Sequence, residues 1–114
     1  MIDLRPISSI NAARREFERF PFEVQSDMQD ALTLAAEGEM SGKAKPLKGF
    51  EGGVFEIALR HRGTQFRTIY ALKIDADIWV VHAFQKKSKS GVKTLREEID
   101  VIRVRLKRLK EALK

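Results

Sequence analysis

Apolar residues recur along this chain in two rhythms, one of helical spacing and one of strand spacing. Ile10, Ala13, Phe17 and Phe20 are spaced by 3, 4 and 3, which is one stripe of a short helix. Ser8 and Ser9 stand before it as candidate N-caps. Pro21 ends that helix and suits the start of the next, whose stripe is Val24, Met28, Ala31, Leu32 and Ala35. Glu23, Asp27 and Asp30 occupy its N-terminal half, where the helix dipole favours acids. Gly38 fits the position just past its end. Together they read as a helical hairpin or corner.

The period then shortens. Residues 38–53 hold five of the seven glycines and carry Lys43, Lys45 and Lys48, the composition of a loop. Phe55, Ile57 and Leu59 alternate with Glu56, Ala58 and Arg60, a strand with one buried face. His61-Arg62-Gly63-Thr64 reads as a turn, Gln65 to Ile74 as a second strand, and Asp75-Ala76-Asp77 as another turn. Ile78 to Phe84 is apolar on both faces and rich in β-branched and aromatic residues, hence a central strand. Strict alternation along it puts His82 and Phe84 on one face and Trp79 on the other. Gln85 to Lys93 reads as a loop. Thr94 and Glu97 form a capping box. The helix it opens has the stripe Ile99, Ile102, Leu106, Leu109 and Leu113, opposed by Arg96, Arg103, Lys107, Lys110 and Lys114. Ile2 to Ser8 contains Pro6, so any strand there lies at an edge. The pattern predicts a single α+β domain over residues 1–114. Its antiparallel sheet is a three-stranded meander plus a possible N-terminal edge strand, flanked by the helical hairpin and the C-terminal helix.

Charge adds a direction. Lys and Arg number 22 against 16 Asp and Glu, a net +6. Residues 84–114 hold eleven of those cations and four acids, so the whole excess lies in the last quarter. That asymmetry suits a polyanionic partner such as nucleic acid; the plainer reading is a solvated helix face. Absence of cysteine excludes a disulfide scaffold, thiol catalysis and Cys-based metal sites, and fits a reducing cytoplasm. No apolar run approaches the ~18 residues of a membrane span, and MIDLRPISSI does not read as a secretory leader. Two histidines without ligand-spaced carboxylates make no metal site. Dinucleotide and Walker glycine motifs are missing, so no nucleotide cofactor is expected.

The segments AKPLKG (44–49), VFEIALRHRGTQFRTIY (54–70) and HAFQKKSKSG (82–91), followed by a basic terminal helix, resemble the RelE/ParE superfamily of type II toxins in its phage-derived HigB-like branch. The resemblance implies a small sheet flanked by helices with RNA held in a basic cleft. By position, Arg67 matches the arginine of an aromatic-Arg-x-x-Tyr strand that contacts the scissile phosphate. Lys87, preceded by Lys86, matches a basic residue after the last strand. Arg60 falls near basic second-strand positions, and His61, Arg62, Lys89 and Lys93 extend the expected RNA-binding surface. Implied partners are a cognate helix-turn-helix antitoxin, mRNA and the ribosome, with no metal, cofactor or membrane. The expected function is a toxin acting as a ribosome-dependent mRNA endonuclease in the cytoplasm. Alternatives are a non-enzymatic toxin binding a protein such as gyrase, or a phage-derived RNA-binding protein without cleavage activity. Two positions that are lysines in well-studied RNase members are Glu56 and Ala58 here. The Tyr or His that follows the basic residue in such members has no counterpart.

RNA cleavage by 2′-hydroxyl attack needs a group to take the hydroxyl proton, one to neutralise the phosphorane, and one to assist the leaving oxygen. Arginine suits the second task through its bidentate fork, and lysine the second or third. His61 has the ordinary pKa of a base but sits in a turn between two arginines, where a plain surface role fits. His82 reads as a satisfied core histidine, and Tyr70 as either a packed strand residue or one that orients substrate. Arg67 has a second reading too, as a partner of Glu56 across the hairpin.

Overall fold

The computed structural model describes residues 4–87 and 96–114, with Lys87 described by its backbone alone. Its elements are β1 (Ile7–Ser9), α1 (Asn11–Glu18), α2 (Phe22–Ala36), β2 (Ala44–Pro46), β3 (Val54–His61), β4 (Thr64–Ala71), β5 (Ile78–Lys87) and α3 (Arg96–Ala112). The strands form one five-stranded sheet in the order β1-β5-β4-β3-β2. The β3–β4–β5 meander is antiparallel, β2 pairs antiparallel with β3, and β1 lies parallel to β5. This is the expected α+β architecture with a strand added at each edge of the meander.

The corner between the first two helices is built by side chains. Pro21, at the N-cap of α2, has no N–H to leave unsatisfied. Gln25 Nε2 donates to the carbonyls of Phe20 at 2.8 Å and Glu18 at 3.2 Å, covering the open end of α1. Gly38 follows the end of α2 at φ +86°, the left-handed geometry expected there. Ser8 and Ser9 are not caps, however. Both lie in β1, and Ile10 occupies the N-cap without a side-chain bond. Pairing with β5 claims their backbone instead, and Ser8 Oγ donates to Asp77 Oδ2 at 2.7 Å. Arg5 fastens the same corner, donating to the carbonyls of Leu72, Asp75, Ala76 and Asp77.

Three boundaries differ from the periodicity. Residues 44–46, expected in a loop, form β2; three residues are too few to show a period, and Pro46 is tolerated because β2 is an edge. The strand expected to reach Ile74 stops at Ala71. The one expected to stop at Phe84 runs on through Gln85 and Lys86 to Lys87, paired along β4. Thr94, of the expected capping box, lies outside the described residues.

Each face of the sheet has its own core. The α1/α2 stripes pack with Ile57, Phe66, Tyr70, Ile78, Val80 and Ala83. On the other face Ile102, Leu106 and Leu109 of α3 pack with Val54, Ile69, Ala71 and Val81, with Trp79 beside them. Leu113, the last residue of the expected α3 stripe, is exposed. Strict alternation fails once in β5. Ile69 pairs with His82 but Tyr70 with Val80, so Val81 is an extra, bulged residue. Directly paired residues share a face. The bulge therefore puts His82, Phe84 and Lys86 on the α3 side together with Trp79, where alternation had separated Trp79 from the other two.

Candidate functional site

The register arranges the α3 face of the sheet in rows. Leu47, Val54, Ala71 and Trp79 lie under α3. Next come Lys45, Glu56, Ile69 and His82, then Ala58, Arg67 and Phe84, then Arg60, Gln65 and Lys86. Apolar packing against α3 falls in the first rows and polar chemistry in the last. The β3–β4 hairpin closes this polar end. Arg62 and Gly63 have φ of +50° and +79° between the paired His61 and Thr64. Two positive-φ residues are what a two-residue type I′ turn demands.

The structure brings together Arg60, Arg67 and Lys86. Arg60 is exposed, while Lys86 is buried at 6% exposure. Arg67 is 1% exposed, and so is Glu56. Arg67 Nη1 donates to Glu56 Oε2 at 3.1 Å, and Nη2 donates to Gln65 Oε1 at 2.7 Å. These bonds fix the guanidinium plane against β3. Lys45 Nζ stands 4.0 Å from Glu56 Oε1, and its side chain is 58% exposed, so a solvent-facing cation sits at the rim. Arg67 is thus both in the expected row and the cross-hairpin partner of Glu56.

Other expected residues lie elsewhere. His61 pairs with Thr64 and meets Phe66 edge-on at 6.5 Å, on the helix-pair side of the sheet. Arg62 is exposed in the turn. The backbone of Lys87 pairs with Thr64. Lys89 and Lys93 are outside the described residues. Tyr70 is buried on the α2 side and stacked on Phe55 at 5.5 Å; burial pushes its phenol up. It is a packed tyrosine.

His82, 3% exposed, is the satisfied histidine the strand pattern suggested, though its partners come from distant elements. Nε2 donates to Glu98 Oε1 of α3 at 2.7 Å. Nδ1 lies 3.2 Å from Glu16 Oε1 of α1 and 2.8 Å from Arg105 Nη1 of α3. Arg105 grips both oxygens of Glu16, at 2.8 and 3.0 Å, and donates to the Val81 carbonyl. Burial works against the charge of Glu16. Hydrogen bonding with His82, Arg105 and the Ala83 N–H, with attraction to His82, outweighs it and brings the carboxyl down to about 2. This cluster was missed in the sequence. Glu98 and Arg105 share a helix face seven residues apart, a usable signal, but nothing local points from Glu16 to β5. Among the described residues no group of His, Asp and Glu is arranged to hold a metal ion, and no helix is long and apolar enough to cross a membrane.

Comparisons with known proteins bear on the family and the fold. Residues 15–107 match the family model described as Phage derived protein Gp49-like (DUF891). No curated protein matches the chain. A chain of the crystal structure of the toxin–antitoxin complex RelBE2 from Mycobacterium tuberculosis is similar in fold. It is 18% identical with a TM-score of 0.51, over 77% of this chain and 98% of that one.

Proposed function

The chain belongs to the phage-derived Gp49-like family, and on that premise we propose that it is the toxin of a toxin–antitoxin pair, RelE-like and of the HigB branch, which cleaves mRNA on the ribosome in the cytoplasm. The similar fold found in RelBE2 supports the toxin reading. The observation that carries the cleavage reading is the polar end of the α3 face, where Arg60, Lys86 and Arg67 occupy adjacent rows. There the Arg67 fork neutralises the phosphorane and Lys86 assists the leaving oxygen, without a cofactor. Arg62 adds an exposed cation at the adjoining hairpin turn. The antitoxin is a helix-turn-helix protein encoded beside the toxin.

A second reading, a toxin that acts by binding a protein such as gyrase, is favoured by the engagement of Arg67 with Glu56 and by the caging of His82. One experiment separates them. Inducing the chain alone arrests growth, the neighbouring gene's product reverses the arrest, and transcripts are cut inside open reading frames. Arg67→Lys keeps a cation beside Glu56 but loses the fork, so cutting falls about 100-fold or more while melting shifts by a few degrees. Intact transcripts with lost supercoiling during full arrest move the assignment to the second reading.

A further inference from the structure

The side of α3 turned away from the sheet has an order of its own. Ile102, Leu106 and Leu109 are buried against the strands. On the outward side Glu97, Val101, Val104 and Arg108 recur at spacings of 4, 3 and 4, and all four are exposed. Val101 is 37% exposed and Val104 48%. Such spacing is the seam of two helices packed along each other. Asp100 and Lys107 flank the seam on one side and are exposed too. Among the described residues, none of these four charged groups has an ion-pair partner within its own chain.

Solvation does not account for two valines in this place. A β-branched side chain is a poorer helix former than the Arg, Lys and Glu around it, so the valines weaken α3 unless something covers them. The order of the charges identifies what does. Turned end for end, a second copy of α3 sets its Val104 against Val101 and its Arg108 against Glu97, about a two-fold axis between Ile102 and Arg103. Each contact then occurs twice. Flanking positions on one side meet as well, Asp100 against Lys107. Laid parallel, the same helices would set Glu97 on Glu97 and Arg108 on Arg108, which like-charge repulsion disfavours.

We propose that the outward face of α3 is a self-association surface. Two copies pair back to back through antiparallel α3 helices, with the valines at the centre and a Glu97–Arg108 pair towards each end. The pairing does not depend on RNA cleavage. A single helix of 17 residues offers a small interface, of the weak and transient class below about 1,200 Å².

The test is sedimentation equilibrium of the full chain, loaded from about 1 μM to about 1 mM, the span of weak affinities. Monomer should pass to dimer across it. Glu97→Arg sets arginine against Arg108, and Arg108→Glu sets glutamate against Glu97; each should weaken pairing about 10-fold or more. The double variant Glu97→Arg/Arg108→Glu restores opposite charges and should return to within about 3-fold of the unaltered chain. Melting is followed for every variant. If a reversal melts early, Val101→Ala/Val104→Ala decides, since it is the better helix former and should still lose pairing. A chain that stays monomeric across the whole range overturns the proposal. So does a dimer that none of these variants weakens, or one that the folded double variant fails to regain. Monomers whose reversals instead abolish binding of the neighbouring gene's product also overturn it, and hand this face to the antitoxin.

Discussion

The Glu56–Arg67 pair and the cluster around His82 share one sheet face, with Glu56 and His82 in the same row, yet they span very different lengths of chain. Glu56 and Arg67 are eleven residues apart, on strands joined by a tight turn. Glu16 reaches 66 residues to His82 and 89 to Arg105, and so ties α1, β5 and α3 into one unit. Remove the second cluster and three elements lose their common anchor; remove the first and the ladder between β3 and β4 remains. Charges that join distant elements answer to the fold. A charge pair buried where the backbone already does the joining adds only about 0.2–1 kcal/mol across the strands.

The harshest way to break this comparison is His82→Ala. It leaves a cavity beside Glu16, Glu98 and Arg105, and should cost about 2–4 kcal/mol, roughly 8–15 °C in melting temperature. A shift under about 2 °C would mean that the cluster does not anchor the three elements.

Acid should sharpen it. The folded-state pKa of Glu16 is depressed from 4.5 to about 2, so its stabilising contribution is fully present above the unfolded value. That contribution is lost as pH falls from about 4.5 towards 2. Melting temperature should drop across that window, and Glu16→Gln should flatten the drop while lowering stability at neutral pH. An equally steep drop in the variant would assign the acid sensitivity to other carboxylates.

The mildest expected effect lies midway along α3. Arg103 covers the Phe50 ring at 4.8 Å and donates to the Gly49 carbonyl at 3.4 Å, at a solvent-exposed position. Arg103→Ala should cost about 0.5–1 kcal/mol, readable as a small fall in urea midpoint. A loss as large as that of His82→Ala would show that exposed and buried anchors of α3 count alike.

Periodicity made most of this fold legible, because α1, α2, α3 and the meander each bury a face long enough to repeat. It missed β2, whose three residues show no period, and the pairing of β1, which depends on a partner 71 residues away. In the site, alternation placed Arg67 opposite Phe66 and suggested Glu56 as a partner, and both hold. Burial was not legible: alternation tells which way a side chain points, not what lies over it. The grouping of His82 with Glu16 was hidden for a related reason, since the two are joined only by tertiary packing.

The bulge at Val81 bears on this chain as an inherited text. Side chains along β5 carry a phase, and Val81 is the one letter at which the phase is reset. Deleting that single codon would set His82 directly after Val80 in an unbroken ladder, with every later residue facing as it does now. Deleting Ala83 instead, past the bulge, would turn Phe84 and Lys86 toward α1 and α2 and bring Gln85 up beside Arg67. Point substitutions can wear this face away one group at a time, whereas the loss of one codon past the bulge would exchange its two sides in a stroke.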